Sequence, residues 1–145
     1  MKRYSNRRAR LYQIRSKLEA GIVLSGAEVK SIKTRGIQLS GASVQTRGSE
    51  VFLINAVIAP YFYARQPDYE PTASRKLLLK EKEIAWLFTQ KKKKLTIIPL
   101  SCYTRRGWIK VQLGIGRLKK KKERKKELMA KQEKREISTF KKGMN

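Results

Sequence analysis

The sequence predicts a mostly-β fold, a small antiparallel barrel carrying two to three short helices and a basic C-terminal tail. Three observations lead there. Two stretches, residues 44–60 and 95–116, read as β-hairpins around arginine–glycine turns. The helical stretches are isolated and do not alternate with strands, which argues against a doubly wound sheet. The chain is strongly basic, and among small barrels the oligonucleotide-binding type suits such a charge.

Each element follows from its residues. Residues 1–10 are polar and basic and predict a mobile arm. Residues 11–23, LYQIRSKLEAGIV, contain an alternating stretch and predict a strand. Ser25 followed by Glu28 is a capping box, in which each side chain satisfies a backbone N–H at a helix start. Leu24 and Val29 supply its hydrophobic staple, Val29 and Ile32 share one face, and Gly36 provides the stop. The spacing predicts a helix over 25–35 with Lys30, Lys33 and Arg35 facing outward.

The first hairpin turns at Arg47-Gly48-Ser49, and its return strand VFLINAVIAP is apolar at nearly every position, as a central strand would be. Residues 61–74 form a long loop carrying Tyr61, Phe62, Tyr63 and Tyr69. A loop of that length is more often functional than filler. A second helix is expected over 80–91, with Ile84, Leu87 and Phe88 on one face and a lysine run at its C-terminal end, where positive charge suits the helix dipole. The second hairpin turns at Arg105-Arg106-Gly107. Its return strand alternates, with Ile109, Val111, Leu113 and Ile115 pointing inward and Trp108, Lys110 and Gln112 outward. Residues 11–116 thus form the body, and 117–145 the tail.

Thirty-six Lys and Arg oppose eleven Asp and Glu, a formal net charge of +25 on 145 residues without a histidine. The tail holds thirteen basic and four acidic residues in 29 positions, so most of the excess lies on the body. Such self-repulsion implies a polyanionic partner, and nucleic acid is the usual one. A single cysteine, Cys102, excludes an internal disulfide framework and fits a reducing compartment. No apolar run reaches the roughly 20 residues that cross a bilayer. No secretory signal pattern opens the chain, and a cytoplasmic monomer without membrane contact is expected.

Catalysis is disfavoured. The commonest general base and metal ligand is missing, and the close carboxylate pairs are only Asp68/Glu70 and Glu81/Glu83. No cofactor is expected, since neither a glycine-rich loop nor a metal cluster is present. Trp108 and Lys110, side by side near an arginine turn, suit RNA: rings stack on unpaired bases and cations hold phosphates. An ordinary solvated strand face reads the same way. The loop aromatics 61–63 either plug the barrel mouth or stack on bases, the plug being the expected role. The tail is rich in helix formers, but Lys119 to Lys122 repel one another. It is expected to be disordered alone and helical against RNA, or else merely solubilising.

Several blocks in one order resemble the small protein B family, the partners of transfer-messenger RNA in bacterial ribosome rescue. They are EAGIVLSGAEVKSIKTRG, GSEVFLINAVIAPY, EPTASRKLLL and LTIIPLSCYTRRGWIKVQLGIGRLKKK. The resemblance implies a barrel that grips the tRNA-like domain of that RNA, with elongation factor Tu joined through the RNA. It implies delivery to stalled ribosomes, with the body at the small-subunit decoding region and the tail helical in the message channel. Carried over by position, RNA binding falls on Glu19, Leu78 and Lys110, with Tyr12, Lys30, Arg75 and Lys76 as lesser candidates beside Trp108. The tail residues so implied are Lys119, Lys120, Glu123, Arg124 and Lys125. The chain departs from the family's pattern at Glu123, Arg124 and Lys125, where Asp-Lys-Arg is usual, at Leu118 in place of a hinge glycine, and at Gly41 and Ala73. The other reading of barrel and charge is a ribosomal or general RNA-packaging protein.

Overall fold

The computed structural model describes residues 3–64 and 66–143, with side chains as far as residue 135 in the tail. The strands are β1 (Tyr4–Ser5), β2 (Tyr12–Ile22), β3 (Ser43–Arg47), β4 (Glu50–Ile54), β5 (Arg75–Leu78), β6 (Thr96–Arg105) and β7 (Trp108–Leu118). The helices are α1 (Gly26–Arg35), α2 (Glu81–Lys92) and α3 (Lys121–Gly143). All strands join one antiparallel sheet in the order β1-β6-β7-β2-β5-β4-β3. The sheet curls until β3 approaches β6, which gives the expected barrel-like form. Shifts in pairing at Ile14/Ser16 and at Pro99/Ser101 mark bulges, where a strand bends and a proline is tolerated.

Alternation decides which side of each strand is core. Ala20 from β2, Leu53 from β4, Leu77 from β5, and Val111, Leu113 and Ile115 from β7 fill the interior. Ile32 from α1 and Leu87 from α2 close it. The capping box forms as the sequence predicts: the Glu28 N–H donates to Ser25 Oγ at 3.2 Å, and the Ser25 N–H to Glu28 Oε1 at 3.1 Å. Glu83 Oε1 likewise accepts the Lys80 N–H at 2.9 Å, capping α2 without a Ser or Thr. At the β6–β7 turn Arg106 and Gly107 both have positive φ, 52° and 81°. This is the two-residue hairpin geometry that matches strand twist.

Three expectations need correction. The arm is built into the fold from Tyr4: β1 pairs with the edge of β6, and a 3₁₀ turn follows over Arg7–Leu11. Asn6 holds it by donating its side-chain amide to Pro99 O and its N–H to Leu100 O, both at 2.8 Å. Without β1 the edge of β6 would present unpaired backbone groups. The return strand of the first hairpin stops at Ile54, because Asn55 takes φ 60°. Residues 56–59 continue as irregular chain beneath α1, pinned by the Ser31 Oγ donation to Ala59 O at 2.6 Å. Their only sheet-type pairing among the described residues is the single antiparallel bridge of Val57 to Gln38, and the apolar Ala56 and Ile58 are buried.

Third, β5 was not among the expected strands, though it bridges β2 and β4 and completes the sheet. The tail follows directly on β7. α3 is a helix of 23 residues, about 35 Å long at 1.5 Å per residue. Two of its acids, Glu123 and Glu127, pair with cations just before the helix. Lys119 Nζ reaches both Glu127 oxygens at 2.7 and 2.8 Å, and Arg117 Nη2 reaches Glu123 at 3.5 Å. The Lys119 N–H also donates to Leu11 O at 2.9 Å, so the helix leaves the sheet from a paired position.

Candidate nucleic-acid interface

Strand register builds one row across the outer face of the sheet. Tyr103 of β6 pairs with Lys110 of β7, Lys110 pairs with Gly21 of β2, and Gly21 pairs with Leu78 of β5. Their neighbours Cys102, Val111, Ala20 and Leu77 are buried, so these four face out. Gly21 is what lets the row close up. A Cβ there would stand 3.3 Å from Leu78 Cβ and 3.7 Å from Lys110 Nζ. The ammonium therefore lies over bare backbone with an exposed leucine on its far side.

Glu19, two residues back on the same face of β2, organises the other end. It accepts a short hydrogen bond from the Tyr103 hydroxyl and two contacts from Arg105 Nη1 at 3.2 and 3.3 Å. Tyr103's hydrogen bond is the main reason its carboxyl is held below the usual range. Burial opposes that, and Arg105 and Lys110 add to it. In turn burial, followed by the Glu19 carboxylate, pushes the Tyr103 phenol up to about 12. Arg3 lies over the Tyr103 ring at 4.2 Å and donates to Ser101 Oγ at 2.8 Å. Arg105 and Lys110 thus act on one ionised acid while Arg3 covers the Tyr103 ring, which leaves the patch positive. The Glu19 carboxylate orients Arg105 and fixes Tyr103, a role open to an acid within an RNA site.

The remaining expected residues separate into groups. Lys76 shares the outer face with Leu78, its ammonium 3.5 Å from Glu50. Trp108 stands at the hairpin tip opposite Arg105 with 73% of its surface exposed, a ring free to stack. Lys30 is exposed on α1, 5.7 Å from the Tyr61 ring centroid and outside the register row. Tyr12 is half-buried opposite Leu118, nine residues from Gly21 and so about 30 Å away along the strand. Arg75 is withdrawn: its side chain is buried and spent on Glu28, Tyr69 and three backbone carbonyls, so it faces no ligand. In the tail Lys120 and Lys125 are exposed, whereas Lys119 and Glu123 are held in ion pairs and Arg124 is half-buried.

Tyr103, Arg105 and Arg3 were not singled out from the sequence. The first two could have been found by pairing across the second hairpin, where Tyr103 falls opposite Lys110 and Arg105 opposite Trp108. Arg3 carries no such signal. Burial pushes the Cys102 thiol up to about 12, so it offers no nucleophile near neutral pH. Among the described residues no helix is long and apolar enough to cross a membrane.

Comparison with known proteins bears on this geometry. A family model described as SmpB protein matches residues 3–143. The chain is 42% identical over 135 residues to the SsrA-binding protein of Trichormus variabilis, covering 91% of this chain and 87% of that one. It is 39% identical over 137 residues to the SsrA-binding protein of Chlamydia caviae, covering 93% of this chain and 91% of the relative. One solved chain, from a structure described as "tmRNA-SmpB: a journey to the center of the bacterial ribosome", superposes with a TM-score of 0.67 at 38% identity. That match spans 82% of this chain and 85% of the solved one.

Proposed function

The chain belongs to the SmpB protein family, and from that premise we propose that it is a non-enzymatic RNA-binding adaptor of trans-translation. It binds the tRNA-like domain of transfer-messenger RNA and brings it, with elongation factor Tu joined through the RNA, to ribosomes stalled in the cytoplasm. The observation that carries the assignment to a surface is the Tyr103–Lys110–Gly21–Leu78 row, with Glu19 holding Arg105 beside it. Lys110 and Arg105 supply cationic donors to phosphate, Leu78 an apolar contact for a sugar or base, and Trp108 a stacking face. The barrel body, residues 11–116, does the gripping. The tail, residues 117–145, places Lys119, Lys120, Glu123, Arg124 and Lys125 in the small subunit's message channel.

The test is the RNA that copurifies with the protein at moderate salt. A single transfer-messenger RNA is expected, and loss of residues 117–145 should leave it bound while abolishing peptide tagging. Bulk ribosomal RNA in its place would favour a structural ribosomal protein and overturn the adaptor.

A further inference from the structure

Of the 61–63 aromatics expected to plug the barrel mouth, Phe62 and Tyr63 do not. Phe62 and Tyr63 stand 87% and 81% exposed, the highest values among the exposed large hydrophobic side chains described. They occupy the corner of a hydrogen-bonded turn in which the Ala64 N–H donates to Tyr61 O at 3.0 Å. The turn's base is fixed on three sides. Ser31 Oγ donates to Ala59 O at 2.6 Å, the Ile58 N–H to Pro71 O at 3.1 Å, and the Tyr69 hydroxyl to Ile58 O at 2.9 Å. Two aromatic rings thus stand out into water beside an anchored stretch of chain.

The rings meet edge to face. Tyr61 and Tyr63 have centroids 5.5 Å apart at 61°, and Phe62 and Tyr63 lie 5.2 Å apart at 89°. Edge contacts tie the cluster together and leave ring faces open for a flat partner. Lys30 lies 5.7 Å from the Tyr61 centroid, and α1 carries Lys33 one turn further along, also exposed. Open ring faces beside exposed ammonium groups fit a base and its phosphates. A second copy of this chain is a poor occupant, because each copy carries a net charge of +25.

We propose that this turn is a second RNA contact, in which Phe62 and Tyr63 stack on unpaired bases while Lys30 and Lys33 hold the adjoining phosphates. It goes beyond the grip on a folded tRNA-like domain, since its ligand is a single-stranded segment. The two surfaces differ in build. The sheet face combines Lys110, Arg105 and the apolar Leu78 with one ring, Trp108, whereas the turn offers two adjacent rings on which any base can stack.

The full-length chain is titrated into a six-nucleotide single-stranded RNA carrying 2-aminopurine at its centre, at physiological ionic strength. Stacking quenches this fluorophore, and tail lysines alone do not. Quenching is expected, together with loss of most of it and binding about five-fold or more weaker in the Phe62→Ala/Tyr63→Ala double variant. The Phe62→Tyr/Tyr63→Phe variant should retain both. Lys110→Ala should leave the oligonucleotide signal unchanged while weakening the tRNA-like domain, which separates failure here from failure of the adaptor reading. Undiminished quenching in the double alanine variant, or quenching abolished by Trp108→Ala instead, overturns the proposal. So does a double variant that quenches normally but loses a self-association seen by sedimentation. Both substituted side chains are exposed, so an unchanged thermal melting curve is the accompanying control.

Discussion

Two trios of the same three residue types sit in this molecule and do opposite work. Glu28, Arg75 and Tyr69 form one; Glu19, Arg105 and Tyr103 form the other. In the first, the Arg75 and Glu28 side chains are 3% and 13% exposed, and Arg75 Nε meets Glu28 at 2.7 Å. Arg75 Nη1 donates to Ala56 O and Ala73 O, and Nη2 to Pro71 O and the Tyr69 hydroxyl. In the second the exposures are 59% and 30%, and both Arg105 contacts run through Nη1 alone. A guanidinium spent on backbone carbonyls ties a loop to a sheet. One held by a single nitrogen is aimed, and keeps donors for a ligand.

The sharpest way to break this comparison is at Arg75. Arg75→Leu leaves Glu28 and three carbonyls without their partner, and stability should fall by about 3–5 kcal/mol. Arg105→Leu should cost no more than about 1 kcal/mol, as for an exposed pair. Urea unfolding monitored by circular dichroism measures both. The pH dependence carries the same contrast. Burial pushes the Glu28 carboxyl up, but the Ser25 N–H and Arg75 outweigh it, and the net pKa is lowered. A depressed folded pKa gives stability that is full above the unfolded value, about 4.3, and is lost as pH falls through the folded one. That acid-dependent loss should shrink in Arg75→Leu. Equal urea midpoints for the two arginine variants would erase the distinction between the trios.

The next effect belongs to the open surface. Lys110→Ala should weaken binding to the tRNA-like domain by about 1–3 kcal/mol and reduce the salt slope by about one. Its ammonium sits over Gly21 and props up no buried group, so the urea midpoint should barely move. A filter-binding titration with unchanged affinity would remove Lys110 from the interface.

The contrast between the trios also marks how far the sequence was readable. Period-two alternation was enough to put Lys110 outside and Val111 inside, because that choice depends only on neighbours along one strand. The capping box was legible for the same reason: Ser25 and Glu28 are three residues apart. What stayed hidden spans long separations. Arg75 looked like one more surface cation, and nothing local says that its partner is 47 residues away in α1. The Glu19–Tyr103 bond joins residues 84 apart. The four residues of β5 alternate correctly, yet a strand so short owes its existence to β2 and β4 on either side. The aromatics 61–63 read as a plug for the barrel mouth, but a turn over 61–64 carries the Phe62 and Tyr63 rings outward. Backbone geometry there overrides hydrophobicity.

The finest test of the comparison removes one oxygen atom from each trio. Tyr103→Phe deletes the donor that most lowers the Glu19 carboxyl, so that carboxyl should rise toward its ordinary value while remaining ionised at neutral pH. Arg105 then keeps its ion pair but loses an acid fixed in place by the phenol. Affinity for the tRNA-like domain should fall by about 0.5–1.5 kcal/mol, the worth of one hydrogen bond, with stability nearly unchanged. Tyr69→Phe deletes a hydroxyl that reaches Glu28 and Ile58 O and accepts from Arg75. Its cost should appear in the urea midpoint and not in RNA affinity. If both phenylalanine variants lost stability alike and left RNA binding untouched, Glu19 would be a second structural carboxylate, and the outer row would have to act through Lys110 and Leu78 without it.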